Sequence, residues 1–267
     1  MDTVPSEFCD SVISVINDIY RLPKLVSKLS GHKFDTWKVV IQDHVSNRRE
    51  IWVNLGRNNP DTLGKLIKKI QKKYLIVQHM IWSGLPLSTN DFDLIRSIKP
   101  FAQCSALSLN NDSGSPTVEV YERFAECLNH KFFTEIDLQH PYEAVLRHQA
   151  QSKIIRRLFL SGDGWSKEIQ PVIEEILLTH PLEYVDICSG IVFGKTFLQS
   201  LLDLPCSEKK VFHIHIENFK EFCDHTNVQV EKNAGHVLWK REDGINVTMR
   251  RLDHLGPVCI KFSKKSL

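Results

Sequence analysis

The feature that most constrains this chain is a short row of the form apolar, any residue, apolar, which recurs along most of its length. Each row is followed by a polar turn and then by apolar residues at helical spacing, the order expected of a strand, a turn and a helix. The rows are Val53–Leu55, Met80–Trp82, Leu107–Leu109, Ile136–Leu138, Leu158–Leu160, Val185–Ile187 and Ile214–Ile216. The pattern predicts an α/β chain built from repeated strand and helix units.

The spacing of the rows suggests how the units assemble. Their last apolar positions are 55, 82, 109, 138, 160, 187 and 216, which are separated by 27, 27, 29, 22, 27 and 29 residues. Leucine-rich repeats have a period of about 20 to 29 residues. We therefore expect a leucine-rich-repeat-like solenoid with parallel strands, a divergent horseshoe. A doubly wound sheet is the alternative, but G-x-G-x-x-G does not follow the first row.

The last part of the chain has a different period. Apolar residues alternate with polar ones in four short runs, at Val228–Val230, Val237–Trp239, Val247–Met249 and Val258–Ile260, with turn-forming residues between them. An end repeat has no neighbour to cover its apolar side. These runs predict a C-terminal β-hairpin cap.

In such repeats, the middle residue of each row and its alternate neighbours point away from the core. They form a surface of aromatic, charged and polar residues, a composition typical of protein contact surfaces. The simple alternative is a solvated face. The partner-binding residues predicted on this repeat face are Asp137, Arg157, Phe159, Tyr184, Asp186, His213 and His215.

Composition excludes several classes of protein. Thirty-four basic against 32 acidic residues give a net charge of +2, too balanced for the electrostatic term on which nucleic-acid binding depends. No apolar run approaches the roughly 18 residues that span a bilayer. The acidic first residues do not resemble a signal peptide, and seven scattered cysteines suggest reduced thiols. We expect a cytoplasmic or nuclear protein that binds neither nucleic acid nor membrane.

Candidates for catalysis are few, and we expect no enzyme, cofactor or metal site. His213 and His215 share one face of a strand, but a metal site needs further ligands nearby. The run Gly190–Thr196 ends like a nucleotide-binding loop, through Lys195 and Thr196. It is one residue too short, and its Ile-Val-Phe is too bulky for backbone amides to approach phosphate. A nucleotide-binding enzyme using these residues is the least favoured alternative.

Residues 1–45 differ from the repeats. Val4 and Pro5 open a helix with one broad apolar face, and Leu22, Leu25 and Val26 begin a second. Such helices either cap the first repeat or dock into another protein.

The run Val4-Pro5-x-Glu7-Phe8, with Val12, Ile13 and Ile16, followed by Leu22-x-x-Leu25-Val26-Ser27, resembles an F-box. The similarity extends to the nematode family of F-box and F-box-associated proteins, which begin Met-Asp-x-Val-Pro-x-x-Phe-Cys. It includes Asn47-Arg48 before an early strand, and the strand Leu158–Leu160 followed by Gly162 and Trp165.

The resemblance implies a binding protein rather than an enzyme. Residues 1–45 would be an F-box-like helical segment, and residues 46–267 a repeat domain with its C-terminal β cap. The segment would bind the Skp adaptor of a cullin-based ubiquitin ligase, and the repeat face would select an unidentified target protein. The alternative is a protein that binds and masks its partner without recruiting a ligase. The predicted adaptor-binding residues are Val4, Pro5, Phe8, Val12, Ile16, Leu22 and Leu25.

Overall fold

The computed structural model describes residues 35–47, 49–55, 75–82, 87–98, 103–110, 118–128, 131–205, 209–218, 230–233, 236–241, 243–251 and 257–264. The predicted adaptor-binding residues, Val4 to Leu25, lie outside these ranges.

From residue 75 to residue 216 the described strands and helices alternate, except that the short strand Val192–Phe193 directly follows the strand Tyr184–Ser189. The strands are β1 Arg49–Leu55, β2 Leu75–Trp82, β3 Gln103–Leu109, β4 Phe133–Leu138, β5 Arg157–Gly162, β6 Tyr184–Ser189, β7 Val192–Phe193, β8 Lys210–Ile216, β9 Val230–Asn233, β10 His236–Lys240, β11 Ile245–Arg251 and β12 Val258–Lys264. The α-helices are α1 Asp35–Asn47, α2 Thr89–Ser97, α3 Val118–Cys127, α4 Glu143–Ala150, α5 Gln170–Thr179 and α6 Lys195–Leu202. A 3₁₀ turn at Lys167–Ile169 precedes α5.

These strands form a single open sheet. Its order is β1-β2-β3-β4-β5-β6-β8-β12-β11-β10-β9, and the short β7 pairs with β8 beside this path. Pairing is parallel from β1 to β8 and antiparallel from β8 through β12 to β9. All seven apolar rows lie within strands of the parallel part, so their positions are predicted correctly.

The prediction of a leucine-rich-repeat-like solenoid is wrong. The molecule is an α/β fold on one mixed sheet, with eleven strands along its main path and six described helices. The repeated spacing indicates that strands and helices alternate, but it does not determine how the units assemble. Backbone hydrogen bonds join strands whatever their side chains. In this protein they extend the sheet beyond the repeated part.

The prediction of a C-terminal β-hairpin cap is also wrong, although strands do form in that region. β12 pairs with β8, with Cys259 opposite His213 and Ile260 opposite Phe212. β11, β10 and β9 follow in antiparallel order. The alternating residues therefore continue the main sheet instead of covering its end.

The helices between the parallel strands pack in one layer, in which α2 contacts α3, α3 contacts α4, α4 contacts α5 and α5 contacts α6. Their apolar stripes cover one face of the sheet. Each parallel strand contributes alternate residues to this core, such as Leu158 and Leu160 of β5, which are fully buried. The antiparallel strands contribute Val247, Ile260 and Phe262 in the same way.

Buried polar side chains connect the helix layer to the start of the strands. Gln149 donates to the Lys131 carbonyl over 2.9 Å and accepts from the Phe133 amide over 3.0 Å. His180 accepts from the Ile155 amide at Nδ1, and its Nε2 bonds the Ala150 carbonyl. Burial lowers the pKa of His180. A neutral ring with its proton on Nε2 satisfies both contacts.

Local sequence signals set some helix ends. Ser88 caps α2 in a capping box, in which its side chain bonds the Asp91 amide and the Asp91 carboxylate accepts from the Ser88 amide. At α6, Gly194 occupies the N-cap position without a side-chain cap, and Thr196 lies within the helix.

Candidate functional site: the open face of the sheet

One face of the sheet carries half-exposed side chains, and we call it the open face. Along β5, Leu158 and Leu160 point into the core, while Phe159 is half-buried and Arg157 is exposed. β8 repeats this alternation, with Phe212 and Ile214 buried and His213 half-buried. The period of two in a strand therefore separates a stabilising face from an accessible one.

The strand register aligns the open-face residues in rows. The central row crosses nine strands and consists of Asn54, Ile81, Ser108, Asp137, Phe159, Asp186, His213, Cys259 and Arg250. The second row lies two residues away and consists of Trp52, His79, Ala106, Glu135, Arg157, Tyr184, Val211, Lys261 and Thr248.

At the β1 end, the open face carries an aromatic and polar group. The Trp52 side chain is 60% exposed, and its ring centroid lies 5.2 Å from that of His79. His79 Nε2 lies 2.9 Å from Ser108 Oγ. Ser108 Oγ in turn donates to Asp137 Oδ2 over 3.5 Å.

These three residues do not have the geometry of a hydrolytic triad. In a triad the carboxylate orients the histidine, and the histidine accepts the serine proton. Here Ser108 lies between the other two and donates to Asp137 itself. Its proton is directed toward the acid, so the arrangement holds Asp137 in place rather than activating Ser108.

Carboxylates concentrate in the middle of the open face. Burial raises the pKa of Asp137, and the nearby charge of Glu135 raises it further, against the opposing hydrogen bond from Ser108. Glu135 Oε2 is 3.6 Å from Arg157 Nη1, and both side chains are partly exposed. An exposed pair of this kind contributes at most about 1 kcal/mol to stability.

Aromatic rings follow on β5, β6 and β8. The Phe159 ring lies 5.4 Å from that of Tyr184, which lies 5.5 Å edge-on from the His213 ring. The Tyr184 hydroxyl is 3.3 Å from His213 Nδ1, and Asp186 Oδ2 is 3.8 Å from the same nitrogen. Burial raises the pKa of Tyr184, and the charge of Asp186 adds to this effect. The phenol therefore remains protonated at neutral pH.

Cys188 extends this group toward the carboxyl end of β6. Its thiol donates to Asp186 Oδ1 over 3.1 Å. Burial, the hydrogen bond to Asp186 and the charge of that carboxylate raise the pKa of Cys188 to about 11. Because the thiolate is the nucleophilic form, Cys188 is a weak nucleophile at neutral pH.

The structure brings six of the seven predicted repeat-face residues together. Asp137, Phe159, Asp186 and His213 lie in the central row, and Arg157 and Tyr184 lie beside them in the second row. His215 is the exception. When the apolar rows are aligned with one another, His215 is expected opposite Asp186. In the structure β8 is shifted by two residues, so that His213 faces Asp186 and His215 faces Val192 of β7. A shift of two residues keeps the same face of the strand, so side-chain period does not reveal it.

Sequence reasoning missed several residues of the open face, among them Trp52, His79, Lys261 and Arg250. The two basic residues lie on β12 and β11, which the sequence assigned to a cap. Alternation within Val258–Lys264 does identify Lys261 as opposite in orientation to the buried Ile260 and Phe262. Only the tertiary structure shows that Lys261 belongs to the open face, because its place there depends on the pairing of β12 with β8.

The segment resembling a nucleotide-binding loop is built as strand and helix. Ile191 and Phe193 are buried in the core, and Gly194 begins α6, with Lys195 and Thr196 exposed. The bulky residues therefore hold this segment against the core. Among the described residues, no group of three or more histidine, cysteine or acidic side chains is arranged to hold a metal ion.

Comparisons with known proteins add no assignment. No protein-family model matches the chain, and no curated protein matches it significantly. Within the described part of the chain, no helix has the length and apolar character needed to cross a membrane.

Proposed function

We propose that this chain is a non-enzymatic protein-interaction adaptor whose open face binds a target protein. The observation that carries the proposal is the pair of rows in register, where half-exposed aromatic side chains and an exposed arginine lie among carboxylates. The few residues that supply most of the affinity of a protein interface are enriched in tryptophan, tyrosine and arginine. The fixed sheet beneath them holds these side chains in position before binding.

The second part of the proposal concerns residues 1–45. Their resemblance to an F-box supports recruitment of a Skp-type adaptor and a cullin complex through Val4, Pro5, Phe8, Val12, Ile16, Leu22 and Leu25. The chain would then act as the substrate-recognition subunit of a ubiquitin ligase. The competing function is binding and masking of the target without a ligase.

The open-face part is tested by purification of the tagged full chain from its native cells after cross-linking, with bound proteins identified by mass spectrometry. The test variant is Phe159→Ser together with Tyr184→Ser. The control is Ile154→Ser, which removes a side chain 40% exposed in the loop between α4 and β5. We expect the double variant to lose target proteins that the control retains. Retention of every partner by the folded double variant would overturn this part.

The adaptor part is tested with Phe8→Glu together with Ile16→Glu, and Ile154→Glu is the control for added charge. We expect the wild-type chain and the control to recover the Skp adaptor and cullin, and the double variant to lose both. A wild-type chain that recovers neither component contradicts the ligase role. Unchanged turnover of the target in cells carrying the double variant would instead favour masking.

A further inference from the structure

The central row places an aromatic ring between two carboxylates. Asp137, Phe159 and Asp186 are register partners on three adjacent parallel strands, β4, β5 and β6. Neighbouring strands are about 4.8 Å apart, so each carboxyl-bearing side chain stands one strand from the Phe159 ring. All three side chains are partly exposed.

The local charge around this ring is negative. Glu135, Asp137 and Asp186 supply three carboxylates, and Arg157 supplies one guanidinium, so the local net charge of these four side chains is −2. Arg157 pairs with Glu135 in the second row. Asp137 accepts a hydrogen bond from Ser108 and forms no ion pair with another described residue. Asp186 accepts a hydrogen bond from the Cys188 thiol, and its Oδ2 lies 3.8 Å from His213 Nδ1, which carries a positive charge only when the ring is protonated. Among the described residues, neither carboxylate beside Phe159 is therefore paired with an arginine or a lysine.

We propose that the target protein inserts an arginine side chain onto Phe159, between the carboxylates of Asp137 and Asp186. This inference rests on the proposed function of the open face and names the chemistry that the face recognises. The guanidinium stacks on the Phe159 ring and donates to the carboxylate on each side.

Arginine fits this arrangement better than lysine. A cation over an aromatic face is attracted by the ring quadrupole, and arginine makes this contact more often than lysine. The guanidinium is planar and has five donors in a fixed fork, whereas the lysine ammonium is a compact and strongly hydrated charge. Only the planar group stacks on the ring while its edges reach toward both carboxylates. The raised pKa of Asp137 indicates that a cation at this point would relieve an unfavourable burial of charge.

The opposite sign of charge lies farther along the same face. Lys261 on β12 and Arg250 on β11 are exposed, three and four strands from β5. At about 4.8 Å per strand these residues lie roughly 14 and 19 Å from the Phe159 strand. An extended segment that crosses the strands rises about 3.3 Å per residue, so its acidic residues would lie about four to six positions from the arginine.

The experiment selects binding peptides from a displayed library of random 12-residue segments, with the full wild-type chain as bait. We expect the enriched peptides to share an arginine, with an acidic residue about four to six positions away. A synthetic copy of one such peptide is then titrated against each variant. Phe159→Ala, and Asp137→Asn together with Asp186→Asn, should each weaken binding by about tenfold or more. Asp203→Asn at the end of α6, on the helix layer, is the matched control and should bind as wild type.

Changes to the peptide test the chemistry directly. Citrulline in place of arginine keeps the shape without the charge and should abolish measurable binding, and lysine should bind more weakly than arginine. Enriched peptides without arginine, or peptides insensitive to the two aspartate changes, would overturn this inference. The proposed function of the open face would still be supported if Phe159→Ala weakens the binding of such peptides. An absence of enriched peptides also overturns the inference, and the cross-linking experiment then decides the proposed function separately.

Discussion

The two faces of the sheet are made by alternate residues of the same strands, yet they differ in almost every physical property. The face under the helices consists of buried aliphatic and aromatic side chains, as Leu158, Leu160 and Val185 illustrate. The open face carries Asp137, Phe159 and other half-exposed polar and aromatic groups one position away. This difference separates the roles of adjacent residues. One face stabilises the fold, and the other is available for recognition.

The comparison also explains why the open face contains interactions of low net stabilising value. Its ion pair between Glu135 and Arg157 is exposed, and burial raises the pKa of Asp137. A surface optimised for stability alone would not keep a carboxylate where its ionised form is disfavoured. Such groups fit a surface whose favourable interactions are completed by a partner.

The largest effect is expected where two neighbours on β5 are compared directly. Leu160→Ala removes a fully buried side chain and leaves a cavity, so we expect a loss of about 2–5 kcal/mol in the free energy of unfolding. Phe159→Ala removes a half-exposed ring from its contact with Tyr184 and should cost about 1 kcal/mol. Urea denaturation of both variants measures the difference. Equal losses would show that the open face supports the fold as much as the core does.

An intermediate effect is expected at the turn where β5 leaves the sheet. Gly162 has a φ of 81°, a conformation that costs other residues about 1–2 kcal/mol. A Cβ atom there would also overlap the Gln139 carbonyl oxygen. Gly162→Ala should therefore destabilise the protein by more than that conformational cost.

Gly164 provides a matched control for this change. Its φ is 89°, but the nearest atom to an added Cβ is Pro141 Cγ at 3.8 Å. Gly164→Ala should therefore lose only the stability that the positive φ costs an alanine. Urea denaturation of Gly162→Ala and Gly164→Ala compares the two losses. If Gly164→Ala were the more damaging variant, the close approach of β5 to the Gln139 backbone would not control this turn.

The smallest effect is expected from Asp137→Asn, which keeps an acceptor for Ser108. The folded-state pKa of Asp137 is raised, so the unfolded state tolerates the ionised form better than the folded state does. Ionised Asp137 therefore disfavours folding above the folded pKa, and this penalty disappears as the pH falls through that pKa. At pH 7 we expect Asp137→Asn to be more stable by about 0.5 kcal/mol or less.

Denaturation at decreasing pH measures the difference between wild type and Asp137→Asn. The gain should shrink toward zero as the wild-type carboxyl becomes protonated. A variant less stable than wild type at pH 7, or a gain that grows in acid, would contradict the assigned direction of the pKa shift.

Local structure could be predicted because it depends on short-range periodicity. The apolar rows locate seven strands, and the apolar residues at helical spacing that follow them indicate the helices between the strands. The same alternation identifies the open-face residues Asp137 and Phe159 before their neighbours are known. It does not identify Lys261 as part of their surface, because that depends on a strand pairing distant in sequence.

The sequence by itself determined where strands and helices form and which side of each strand is apolar, because burial of apolar surface requires the matching period. Only the tertiary structure decided that the units form one mixed sheet, that β12 follows β8, and that His213 rather than His215 faces Asp186. The physical reason is that strands pair through backbone groups that every residue carries. A shift by two residues, or a change from parallel to antiparallel pairing, leaves the apolar side of each strand unchanged.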